Sequence, residues 1–155
     1  MARAKPLKEQ SFGLIGMLAV QFILGMILNL FVTLPENHPG NTGSKDYLVR
    51  SLHSYGWAIT IGGGVALFLH VLVGTGLLIG AITFLVRAIK SQQAAWIWVS
   101  AIGLFGIFAA FTNGLAFLDF NHDANSFVMA MGYIVAAVSY SVGLTTPVSQ
   151  KSKAL

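Results

Sequence analysis

The chain has 155 residues, of which 55% are hydrophobic and 9% charged, with no cysteine and a net charge of +4. A soluble domain carries roughly a quarter charged residues, so this composition excludes a water-facing surface all round. The lack of cysteine excludes disulfides, thiolate metal sites and cysteine nucleophiles.

The chain opens on MARAKPLKEQSFGLIGMLAV, a basic segment running into apolar sequence. The apolar run continues to residue 34 with no small-residue cleavage pattern after it, which predicts a retained first helix over about 11–34 rather than a removed signal. PENHPGNTGSKDY, residues 35–47, is rich in Pro, Gly and Asn and predicts an irregular connection, with an outer loop over 35–53. The next apolar stretch, 54–89, has 36 residues. As one helix it is about 54 Å long, against a bilayer core of about 30 Å. It is read as a single long helix, tilted or protruding outward, with distortion at Gly62, Gly63 and Gly64. A third helix follows over about 94–118 and a fourth over about 125–146, capped by Asn125 or Ser126. The expected fold is all-α: a four-transmembrane-helix bundle forming one membrane domain over 1–155.

Charge orients this bundle. Arg3, Lys5, Lys8, Arg87, Lys90, Lys151 and Lys153 fall at one end with Glu9, giving that end +6. Lys45 and Arg50 fall at the other with Glu36, Asp46, Asp119 and Asp123, giving −2. The positive-inside rule then puts both termini in the cytoplasm of a multi-pass plasma-membrane protein. Tyr55 and Trp57 suit the outer interface, Trp96 and Trp98 the inner one. The positive total follows from topology and implies no nucleic-acid partner. The expected partners are the lipid bilayer and either further copies of the chain or other membrane subunits.

Polar side chains in hydrocarbon need a reason, and few occur here: Gln21, Asn29, His70 and Asn113, besides serines and threonines. His70 lies in GGGVALFLHVLVGTG, residues 62–76. Helical spacing puts Gly62, Gly63, Ala66, Gly74 and Leu77 on its face. That strip of small residues suits a flat cofactor such as haem with a His70 nitrogen on the iron, the other axial position being a second copy's His70 or open, and Gln21 the hydrogen-bond partner that fixes the His70 tautomer. It suits equally a close helix contact, with His70 hydrogen-bonded across it and Gly76 and Gly80 in a small-xxx-small pattern. A second group lies outside: His38, His53, His122, Asp119 and Asp123, with Glu36. Imidazole and carboxylate together suit a Cu, Zn or Fe ion, and a His53–His122 pair suits a haem near the outer surface. Loops also hold such residues simply because they are wet. No phosphate loop, dinucleotide fingerprint or nucleophile triad occurs.

VQFILGMILNLFV, residues 20–32, and LFLHVLVGTGLLIG, residues 67–80, together resemble four-helix haem-handling membrane proteins, and are most similar to one half of the haem A synthase type. The resemblance implies a b-type haem ligated by His70. It departs from that family at VRSLHSYGW, where His53 has neither a preceding Glu nor a following Arg, and in lacking the family's cysteine pair. The resulting expectation is a membrane-embedded haem- or metal-binding protein with a redox or electron-transfer role. The alternative is a non-catalytic subunit of a larger membrane complex. Transport is disfavoured, since no Asp, Glu, Lys or Arg lies within the spans away from their ends.

Overall fold

The structure is a computed structural model that describes residues 5–35, 37–120 and 122–146. Arg3, Glu36, Asn121, Lys151 and Lys153 lie outside the described residues. Six helices follow in chain order: α1 (Lys5–Phe31), α2 (Pro39–Thr42), α3 (Tyr47–Ile59), α4 (Val65–Ser91), α5 (Ala94–Phe120) and α6 (Asp123–Thr145). Among the described residues there is no strand. Four of the helices, α1, α4, α5 and α6, are long and apolar enough to cross a membrane. The fold is the expected four-helix membrane bundle.

The start of α1 and the end of α6 lie together, since the Ser11 hydroxyl donates to the Tyr140 carbonyl at 2.8 Å. Lys5, Lys8, Arg87 and Lys90 gather at that same end, where the Arg87 guanidinium donates to the Gln10 side-chain carbonyl at 3.1 Å. The arrangement puts a basic cluster, the start of α1 and the end of α6 at one end of the bundle.

The long helix expected over 54–89 is broken. α3 ends at Ile59 and α4 begins at Val65, after a turn through residues 60–64. Ile61 and Gly64 both take positive φ, 65° and 86°. The second suits glycine alone among residues without strain, and the first is unusual for a β-branched residue. The Trp57 ring completes the turn by lying where side chains at Gly62 and Gly63 would stand. Three glycines in a row therefore act as a chain reversal rather than as a distortion within one helix. Its physical consequence is that α4 alone, 27 residues or about 40 Å, matches a bilayer.

The outer connection is correspondingly more ordered than an irregular loop over 35–53. His38 caps α2, its Nδ1 accepting from the Gly40 N–H, with Pro39 at the first helical position. Asp46 caps α3, its carboxylate accepting from the Val49 N–H at 3.0 Å. The final helix begins earlier than expected, at Asp123, with His122 rather than Asn125 or Ser126 in the capping position.

Lipid supplies no hydrophobic force between spans, so close packing and hydrogen bonds hold them. α5 and α6 meet at Gly106 and Gly132, where a methyl group on Gly106 would come within 2.5 Å of the Gly132 carbonyl oxygen. The Ser139 hydroxyl donates to the Val99 carbonyl at 2.8 Å across the same contact. Phe84 sets its edge against Trp96 and Tyr140, at centroid distances of 6.1 and 5.6 Å, and all three are buried. A smaller cluster at the outer end joins Ala58, Leu67 and Leu118.

Gly106→Ala is expected to destabilise the bundle by about 1–3 kcal/mol, because backbone rather than a flexible side chain blocks the added methyl. Gly16→Ala, with no atom within 4 Å of the added carbon, is the control and leaves stability unchanged or slightly higher. Unfolding titrations in mixed micelles read both.

Candidate functional site

His70 faces α1. Its Nε2 lies 3.1 Å from the Gln21 amide nitrogen. As oriented, the amide N–H donates to Nε2, which puts the ring proton on Nδ1. The two helices approach through glycines on either side. A side chain at Gly25 would meet the His70 ring at 3.3 Å, and one at Gly74 would meet the Gln21 amide at 3.2 Å. One turn further along, Gly76 faces Met17 and Gly80 faces Leu14. The glycines thus make room for the polar pair itself and for α1 behind it. Nδ1 of His70 and Oε1 of Gln21 are both buried, with no hydrogen-bond partner among the described residues.

In this packing the space beside His70 is occupied. Ligation needs one ring nitrogen open to the iron and a slot for the porphyrin beside it. Nε2 is engaged by Gln21, Nδ1 is covered, and the space at Gly74 is filled by the Gln21 amide. Gly63 belongs to the α3–α4 turn and faces Trp57, away from any slot beside His70. Of the expected face, Ala66, Gly74 and Leu77 share a helix with the histidine, and Gly62 and Gly63 do not.

The outer residues divide among different roles. Asp119 is buried at the end of α5, with its carboxylate accepting from the Ser51 hydroxyl at 2.5 Å and from the Ser54 hydroxyl at 2.8 Å. Arg50 Nε stands 3.9 Å from the same carboxylate, and the guanidinium lies over the Phe120 ring at 4.3 Å. Phe120 also stacks with Tyr47 and with His122. His38 is buried and stacks on Trp57. His53, expected to begin the second span, instead lies exposed in the middle of α3, and Asp123 is exposed in the first turn of α6. Among the described residues, no three His, Asp or Glu side chains come together as a metal site requires. What the sequence grouped by proximity, the structure separates: Asp119 turns inward to fasten α3, while His53 and Asp123 turn outward.

The residues that make this outer clamp with Asp119 are Arg50, Ser51 and Ser54, none of them a site residue expected from the sequence. Their signal was there in the spacing of Ser51, Ser54 and Ala58, which puts three small residues on one helical face behind the Asp46 cap.

No family model, curated protein or solved structure matches this chain.

Two substitution sets follow from the geometry. Gln21→Leu leaves Nε2 of a buried imidazole without a donor, and is expected to cost about 1 kcal/mol, near the average for interhelical bonds in membranes. Gln21→Leu with His70→Leu together is expected to recover most of that loss, since apolar replacement of both partners leaves nothing unsatisfied. A double-mutant cycle by unfolding titration checks this. Asp119→Ala strips two buried serine hydroxyls of their acceptor, for an expected loss of about 1–3 kcal/mol, and is read as increased proteolysis within α3.

Proposed function

We propose that this chain is a non-catalytic subunit of a larger membrane assembly. The observation that carries the reading is the closed Gln21–His70 pair between Gly25 and Gly74. The one histidine inside the described spans is used to tie α1 to α4, with its Nε2 taken by Gln21 and the space beside it filled. Four other buried polar side chains support it. Ser11, Ser139 and Ser100 each donate to a backbone carbonyl, and Asp119 fastens a surface helix. Large apolar side chains line the outward faces of the spans, among them Phe22, Ile79, Phe105 and Val138. Such faces suit contact with lipid and with other membrane helices.

The test uses the full-length chain expressed with ample haem and purified in mild detergent. The expected result is a flat visible spectrum, unchanged by dithionite, together with co-purifying membrane proteins that survive stringent washing. A Soret band that shifts on reduction and disappears in His70→Ala overturns the reading in favour of a haem protein with a redox role. A colourless protein that runs alone and monodisperse overturns the subunit assignment itself.

A further inference from the structure

α3 carries an apolar stripe that the described residues leave open except at Tyr55. Leu48, Leu52, Tyr55 and Ile59 follow one another at spacings of four, three and four residues, the repeat of a single helical face. Leu48 and Leu52 are 70% and 69% exposed. The adjoining face holds the buried Ser51, Ser54 and Ala58, which pack against the bundle. The helix is therefore two-faced in an unusual way, with one side on protein and the next side apolar and open.

Where that open side points is set by two contacts. Both oxygens of Asp119 are held by Ser51 and Ser54, which fixes the roll of α3 over the end of α5. Tyr55, on the open stripe, then reaches inward. Its hydroxyl lies 3.0 Å from the Thr75 hydroxyl, ten residues into α4, and its ring meets Phe111, eight residues before Asp119 on α5. Those separations correspond to about 15 and 12 Å along the two spans. A stripe that shares its face with Tyr55 is aimed along the spans toward the apolar slab and not out into water. The flanking residues match this placement: Tyr47 and Trp57 have the ring types of a membrane–water interface, and His53 and Lys45 are exposed.

We propose that α3 is an interfacial helix whose Leu48–Leu52–Ile59 stripe is seated in the outer leaflet, at the boundary between headgroups and acyl chains. The exposed Ile61 and Val65 in the following turn continue the apolar surface into α4, so that the lipid contact of α3 is continuous with that of the span. This inference concerns the partner of α3 and holds whether or not the chain belongs to a larger assembly.

The chain has no cysteine, so single sites can be labelled in the full-length protein. Leu52→Cys and His53→Cys, each carrying a nitroxide, are reconstituted in phosphatidylcholine vesicles with a water-soluble nickel chelate on both sides. Collision rates with oxygen and with the chelate are then compared by electron paramagnetic resonance. The expected result is oxygen-dominated relaxation at residue 52 and chelate-dominated relaxation at residue 53, with Leu48→Cys repeating the behaviour of residue 52. Chelate access at residues 48 and 52 equal to that at residue 53 overturns the proposal by placing the stripe in water. Protection of residues 48 and 52 from both reagents overturns it by placing them against protein.

Discussion

Backbone approach at glycine is the contact on which this bundle depends. In hydrocarbon, apolar side chains gain nothing by leaving lipid for one another, so helices associate through dispersion at short range and through the few hydrogen bonds they can reach. Gly106 and Gly132 bring α5 and α6 together until carbonyls nearly touch the opposing chain, whereas Gly25, Gly74, Gly76 and Gly80 make room between α1 and α4 for the side chains of His70, Gln21, Met17 and Leu14. Gly103 and Gly143 make room for Tyr140 and for Ser11 with Trp96. The Ser11–Tyr140 and Gln21–His70 bonds lie beside such glycines, which leave space for the polar groups to reach across.

The outer end is organised on a different principle. There the chain leaves the slab, and a charged carboxylate becomes affordable when it is fully bonded. Asp119 gathers Ser51, Ser54 and Arg50, and the stacked rings of Tyr47, Phe120 and His122 cover the edge of that cluster. The result is a surface helix held in one orientation, joined to α4 by a turn whose positive φ values at Ile61 and Gly64 reverse the chain within five residues. The histidines that made this end resemble a metal centre serve as a cap at His38 and a ring stack at His122.

Much of this was legible in the residues alone, for a simple reason. Apolar runs of bilayer length are a one-dimensional property, and they define four spans without reference to what touches what. The Gln21–His70 partnership was also within reach, because each is a lone polar residue deep in a span and each must find a donor or acceptor in the protein. The break at residues 60–64 was half visible. Three consecutive glycines signal freedom, but freedom to bend and freedom to reverse look the same until Trp57 is seen occupying the space beside them.

The sequence by itself thus determined the class of protein, the spans and the short catalogue of polar groups that must be explained. Only the tertiary structure decided what those groups do. Whether His70 looks onto a slot or onto Gln21, and whether Asp119 faces solvent beside His53 or turns inward to two serines, depends on rotations of whole helices set by distant packing. A helical face is periodic in the sequence, but the neighbour it meets is not, and function at such a site lies in the meeting.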